Sequence, residues 1–290
     1  MKVIVTGGGG QLSTELSRVA PAEDDVAVLS SGELDITDGD SVRQVLDLEK
    51  PHIVINCAAY TAVDRAEDEQ DMAYLVNRDG VALLARECAR RNIGLIHIST
   101  DFIFDGKAGR PYRPDDMPAP LSVYGASKLE GEQELMSLYP NESIIVRTAW
   151  LYSAYGRNFV KTMLELFETK DVVKVVEDQV GTPTWAHNLA NFLWFLTANF
   201  KNCKGRILHF TDTGVASWYD FAVAIEEESR KWRSKKEVQV LPVSSEEYPT
   251  KARRPFYSVL DKTETWRVWG RTSEHWRVSL RKMLRDYYST

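Results

Sequence analysis

The strongest constraint on this chain's fold is an alternation that fills its first 150 residues. Short apolar, β-branched runs recur, with longer amphipathic stretches between them. Residues 2–6, Val26–Leu29, His52–Cys57, Leu95–Ser99 and Ser143–Thr148 read as strands. Gln11–Val19, Ser41–Leu48, Met72–Arg91 and Val123–Leu138 read as helices, with Asp38 to Asp40 available to cap the second. A strand with one solvated face would alternate apolar and polar residues. These runs are nearly continuous, so the sheet is parallel and covered on both faces. The expected fold is α/β, a doubly wound parallel sheet over residues 1–150.

Past residue 150 the pattern loosens. Phe159–Phe167, Asn188–Asn199, Trp218–Trp232 and about Glu274–Tyr287 read as helices, and Ser217 as an N-cap. Val172–Val176 and Arg206–Phe210 read as strands, and the proline-bearing stretch 242–257 as loop. Residues 151–290 are expected to form a smaller α/β substrate-binding part, with elements free to return to the first sheet.

Composition narrows the function. The 290 residues are 43% hydrophobic and 27% charged, enough for a core without disulfides or metal. Cys57, Cys88 and Cys203 are too few and too scattered for a disulfide framework, and read as buried thiols in a reducing cytosol. A net charge of −6 argues against nucleic acid. Residues 251–290 nevertheless hold ten Lys/Arg against four Asp/Glu. That asymmetry suggests local positive potential for a phosphate-bearing ligand. No stretch nears the roughly 18 apolar residues of a membrane span. A cytoplasmic location is expected, with no membrane partner.

The first strand runs into Thr6-Gly7-Gly8-Gly9-Gly10-Gln11-Leu12-Ser13. Glycines between a first strand and a first helix let the backbone approach a pyrophosphate. The helix then offers its free N–H groups and positive dipole end. This is a Rossmann-type dinucleotide loop, with Ser13 where a third glycine often stands. Selectivity for NAD usually needs a carboxylate at the end of the second strand. Here that place reads Leu29-Ser30-Ser31-Gly32, with Glu33 slightly beyond. Ser30 and Arg18 could hold a 2′-phosphate, so NADPH is expected, NADH remaining open. Asp35 and Ile36 fall where adenine is often contacted, although Asp35 could simply cap a turn.

Tyr124-Gly125-Ala126-Ser127-Lys128 puts a phenol and an ammonium on one helix face. A phenol needs a nearby cation to serve as acid or base near neutral pH. Upstream, a strand ends in Ser99-Thr100-Asp101-Phe102, where open α/β sheets bind ligands. In this order the chain resembles the extended short-chain dehydrogenase/reductases. More narrowly, it is similar to the dTDP-4-dehydrorhamnose reductase family. Asn56-Cys57-Ala58-Ala59-Tyr60-Thr61-Ala62-Val63-Asp64, Ser99-Thr100-Asp101, Tyr124 to Lys128, Arg147 to Tyr152, Asn158 to Met163, Asp178 to Thr184 and Arg253-Arg254-Pro255 carry that similarity.

The resemblance implies hydride transfer from NADPH or NADH to the C4 ketone of dTDP-4-dehydro-6-deoxy-L-mannose, in dTDP-rhamnose biosynthesis for cell-surface polysaccharide. It implies that Tyr124 donates the proton. Lys128 lowers the tyrosine pKa and holds the nicotinamide ribose. Thr100 bonds the reacting oxygen, Asp101 lies on the sugar and Trp150 packs on its ring. Gly7, Gly10, Gln11 and Leu12 hold the pyrophosphate, while Ala58, Ala59 and Tyr60 contact the cofactor. Asn158, Gln179 and Arg254 join the substrate set. Each also has a plainer reading: Trp150 as core, Asn158 as a helix cap, Gln179 as loop and Arg254 as surface. His97, inside a strand, reads as a satisfied core histidine.

Some relatives bind magnesium through carboxylates at a dimer interface. Glu15 matches one such position, but His187 stands at another, so no metal is expected and a homodimer stays open. Two other readings remain. One is a reductase or epimerase of another nucleotide sugar; dehydration is disfavoured because Phe102 stands where dehydratases carry Glu. The other is a non-catalytic, NADP-binding regulatory subunit of the kind found with methionine adenosyltransferase, which lacks the Arg-Thr-x-Trp motif present here.

Overall fold

A computed structural model describes residues 1–234 and 237–289. The chain opens with β1 (Lys2–Thr6), α1 (Gln11–Arg18), β2 (Asp25–Leu29), α2 (Gly39–Glu49) and β3 (Ile53–Asn56). It continues through α3 (Val63–Ala66), α4 (Gln70–Tyr74), α5 (Gly80–Arg91), β4 (Gly94–Thr100), α6 (Val123–Leu138) and β5 (Ser143–Thr148). Then come β6 (Leu151–Tyr152), α7 (Phe159–Thr169), β7 (Val172–Val176), β8 (Val180–Gly181), β9 (Thr184–Trp185), α8 (Ala186–Ala198), α9 (Phe200–Cys203) and β10 (Arg206–His209). The chain closes with β11 (Ala216–Ser217), α10 (Trp218–Ser229), β12 (Gln239–Val243), α11 (Thr263–Trp269) and α12 (Trp276–Ser289).

Six strands form one parallel sheet in the order β10-β5-β4-β3-β1-β2. Its apolar runs are buried on both faces, as continuous hydrophobicity requires. One face packs Val3, Val5, Ile55 and Ile96 against Leu12 and Leu16 of α1 and Leu189, Phe192 and Leu193 of α8. The other packs Ile4, Val54, Leu95 and Ile145 against Val42 and Leu46 of α2, Leu84 of α5 and Leu135 of α6. The strand order reverses beside β1, where the first βα loop opens; ligands bind at such switch points.

A separate core gathers Tyr152, Val160, Phe167, Trp185, Phe221, Ile225, Trp276 and Leu280 from α7, α10, α12 and the short strands between them. Ser217 and Asp220 close α10 with a reciprocal capping box.

Two expectations change. The long helix over Met72–Arg91 is broken: a π-helical turn, Leu75–Asp79, joins α4 to α5. The extra residue swings Asn77 inward, where it is fully buried and bonded on both sides. Pro242 lies in β12 rather than in loop, paired in parallel with β7. This sheet has two strands, so each is an edge where a missing N–H is tolerated.

Candidate active site

The nucleotide cradle lies between β1 and α1. Gly7 has φ +72°, and a Cβ there would fall 2.8 Å from the Ala58 N. The loop is thus seated against the end of β3 at a spacing only glycine permits. Gly10 is the N-cap of α1, with no side-chain cap and no acid in the first turn. The first N–H groups, at Gln11 and Leu12, are left open to an anion. Ser13 fills the third-glycine place: its hydroxyl lies 2.7 Å from the Gly7 carbonyl and 3.0 Å from that of Gly10. The donor set fits a pyrophosphate.

The adenosine end departs from the expectation in one respect, its carboxylate. Glu33 folds back onto β2, and its Oε2 accepts from the Ser30 N–H at 2.8 Å and the Ser30 hydroxyl at 2.7 Å. A carboxylate therefore stands where none was expected. Arg18 is directed to Glu15 at 3.4 Å and Asp286 at 3.9 Å, with its guanidinium over the Tyr155 ring. Asp35 Oδ1 accepts from the Thr37 N–H and hydroxyl, which is the turn-capping role. Ile36 is buried among Leu34, Val42 and Val81.

At the end of β4, Thr100 Oγ1 accepts from the Phe102 N–H at 3.2 Å and so caps a short 3-10 turn, Asp101–Ile103. Helix α6 sits directly on that turn. Ser122 caps it, and at Gly125 a Cβ would meet the Phe102 carbonyl oxygen at 2.2 Å. This close approach sets Tyr124 beside Thr100, with the Phe102 ring edge-on at 5.6 Å. Burial pushes the Tyr124 phenol up to about 12; the Thr100 hydroxyl opposes this and the Asp101 charge adds to it. Burial also pushes Asp101 up to about 6, with Ser258 and the Thr100 hydroxyl, which donates to its Oδ1 at 3.1 Å, acting the other way.

Lys128, one turn on, is 2% exposed. Its Nζ donates to the Ile98 carbonyl at 2.7 Å and lies 3.3 Å from His97 Nε2. Burial pulls it down to about 8, with Glu132 pulling the other way. The ammonium was expected to lower the Tyr124 pKa. In this structure its Nζ is bonded to the backbone of β4, and burial is the largest influence on the phenol.

Asn77 was missed in the sequence. Its Oδ1 accepts from the Tyr60 N–H at 2.9 Å; its Nδ2 donates to the Tyr60 carbonyl and to Ser127 Oγ at 3.0 Å. It ties the loop after β3, which carries Ala58, Ala59 and Tyr60, to the Tyr124–Lys128 turn. A polar residue within an otherwise helical run was the available signal.

Trp150 follows β5 at φ +48° and stacks on Trp218 at 3.5 Å. The Gly181 backbone presses on its indole. Asn158 caps α7 and donates to Gln11 Oε1 at 3.0 Å, linking the second core to the cradle. Gln179 donates to Ser245 Oγ at 2.9 Å. Arg254 is held by Asp64 of α3, at 3.1 and 2.7 Å to its two oxygens. Lys251 pairs with Asp68, and Arg277 and Arg281 with Glu228. Much of the basic C-terminal segment thus neutralises acids of earlier elements, correcting the idea that its charge is free for a ligand. Glu15, also buried, meets Ser153 Oγ at 2.6 Å and His187 Nδ1 at 3.6 Å. Among the described residues no group of three or more His, Cys, Asp or Glu is placed to hold a metal ion.

A glycine cradle at the switch point and a Tyr/Lys turn seated on the end of β4 define a Rossmann-type chain of the short-chain dehydrogenase/reductase class. The comparisons narrow it. A family model described as RmlD substrate binding domain matches residues 1–289, and the chain belongs to that family. It is 41% identical to a dTDP-4-dehydrorhamnose reductase of Aggregatibacter actinomycetemcomitans, over 99% of each chain. It is 44% identical to the spore coat polysaccharide biosynthesis protein SpsK of Bacillus subtilis, over 98% of this chain and 97% of that one. The structure of a Bacillus anthracis dTDP-4-dehydrorhamnose reductase in complex with NADP matches with a TM-score of 0.91 and 38% identity, over 98% of this chain and 99% of that one.

Proposed function

We propose that this chain is a reductase that carries a hydride from NADPH, or NADH, to the C4 ketone of dTDP-4-dehydro-6-deoxy-L-mannose, giving dTDP-L-rhamnose. The observation that carries the reading is Tyr124 seated against Thr100 and Asp101, one helical turn from buried Lys128. A bound nicotinamide supplies the hydride, and the chain supplies the proton and the field. Thr100 and Tyr124 converge on the position where alkoxide charge develops, and donors fixed before the reaction stabilise that charge most. Tyr124 gives its proton to the new hydroxyl. Lys128 holds the ribose edge and offsets the phenolate. Asp101 and Trp150 orient the sugar, residues 151–290 supply its binding side, and the α1 N-terminus takes the pyrophosphate. For NADPH, Glu33 must leave Ser30 so that the 2′-phosphate meets serine rather than carboxylate. In this reading the enzyme works in the cytosol on a small-molecule nucleotide sugar.

A second substrate is favoured by a specific relative, the Streptomyces niveus dTDP-4-keto-6-deoxy-D-glucose reductase, 37% identical over 96% of this chain. The test supplies both 4-keto sugars separately and follows NADPH oxidation and the sugar product. Turnover of the L-manno ketone with dTDP-L-rhamnose formed is the expected result. Reduction of the D-gluco ketone alone overturns the substrate. Oxidation of NADPH with neither sugar reduced overturns the reductase reading.

A further inference from the structure

His97 is fully buried in β4, between Asn56 of β3 and Lys128 of α6. Its surroundings fix which ring nitrogen carries the proton. Asn56 Oδ1 already has two donors, the Thr6 hydroxyl at 2.6 Å and the Ala58 N–H at 3.2 Å. Turning the amide over would set Nδ2 against the Ala58 N–H, donor against donor. Asn56 Nδ2 is therefore the atom that faces His97 Nδ1, at 3.1 Å, and it must donate. His97 Nδ1 is an acceptor. Burial and the nearby lysine keep the ring neutral, so its one proton sits on Nε2, facing Lys128 Nζ at 3.3 Å.

That contact has a sign. An ammonium presents only N–H groups. One of them reaches the Ile98 carbonyl; toward His97 the ammonium would meet another N–H. The amine form has a lone pair to accept the Nε2 proton. We propose that His97 is a positioning residue for Lys128: held in one tautomer by Thr6 and Asn56, it favours the lysine amine and so sets the pH at which the ammonium is lost. This rests on the reductase reading for its consequence but not for its geometry. The other groups acting on Lys128 are the Cys57 thiol beyond β3 and, on its own helix, Glu132; Tyr124 lies one turn before it on the same helix. Glu132 is bound to Arg147 of β5 at 2.7 Å. Burial independently lowers the lysine pKa, to about 8.

Two measurements test it. In the wild-type protein labelled with ¹⁵N-histidine, the buried ring should be neutral, with its proton on Nε2 across the pH range of activity. A proton on Nδ1 overturns the proposal without reference to catalysis. The second uses His97→Asn, whose shorter amide still reaches Asn56 but not Lys128. The alkaline limb of the kcat profile should move up by about one pH unit, a tenfold change in the lysine equilibrium. Thermal unfolding confirms that the variant is folded. A limb that stays in place, or moves down, makes His97 a core filler and ends the proposal. If the wild-type chain reduces no nucleotide sugar, the reductase reading fails while the tautomer result stands or falls separately.

Discussion

Lys128 and Arg254 are both cations held on helix or loop near a strand end, and their settings are opposite. Lys128 is buried, and the carboxylate that acts on it, Glu132, is taken by Arg147. Among the described residues, a backbone carbonyl and a histidine are its neighbours within hydrogen-bond reach. Arg254 is 22% exposed, and a carboxylate meets its guanidinium through both oxygens. A buried charge without a counter-charge is unfavourable, and such a group shifts its pKa instead. Lys128 shows this, and perturbed groups of this kind gather at functional sites. An arginine matched by aspartate is neutralised, and its pair joins the loop at residue 254 to α3. If the proposed function holds, the difference separates a cation that does chemistry from one that joins two parts of the chain.

The largest expected effect removes the partner Lys128 serves. Tyr124→Phe should lower kcat by about 10² to 10⁴-fold, the usual range for a lost general acid, with cofactor binding and thermal midpoint near wild type. Stopped-flow single turnover with NADPH would read the chemical step directly. Wild-type turnover in this variant would place the acid elsewhere and remove the functional half of the contrast.

Much of this was legible because it is local. The β1–glycine–α1 sequence and the Tyr124/Lys128 spacing need only neighbouring residues, and the parallel sheet follows from uninterrupted apolar runs. What escaped depends on contacts distant in sequence. Asn77 sits in a run with helical periodicity, and its inward turn is set by Tyr60 and Ser127. His97 read as a satisfied core histidine, and it is satisfied; that one partner is Lys128 shows only once β4 meets α6. Glu33 was judged too far along to matter, yet a turn returns it to Ser30. The charge of residues 251–290 looked like a ligand's counterpart because sequence shows its sum and not its pairing with Asp64, Asp68 and Glu228. Strands of two residues, such as β6 and β9, carry no periodicity to read.

A smaller effect sharpens the other half. Arg254→Ala should leave kcat within about twofold and lower stability by about 1 kcal/mol or less, since partly exposed ion pairs contribute little. For a chain of this size that is a fall of about 2–4 °C or less in the thermal midpoint. A hundredfold loss of kcat, or a tenfold rise in KM for the sugar, would mean that Arg254 also serves the diphosphate, and the contrast with Lys128 would collapse.

The smallest effect is a pH dependence of the same seam. Arg254 holds the Asp64 carboxyl below its ordinary value, with the Ala252 N–H adding to it. A group whose pKa is depressed on folding stabilises the fold above its unfolded pKa, near 3.9 for aspartate, and loses that contribution as pH falls through the folded value. Wild type should therefore exceed Asp64→Asn by a few tenths of a kcal/mol near neutral pH, a modest figure because Asp64 is 46% exposed. The gap should begin to close as pH falls below about 4 and vanish below the folded Asp64 value, where both side chains are uncharged. Urea unfolding of the two proteins across that range measures it. A gap that persists in acid would mean that Asp64 stabilises the seam by packing and not by its charge, and Arg254 would then need another reason for its place.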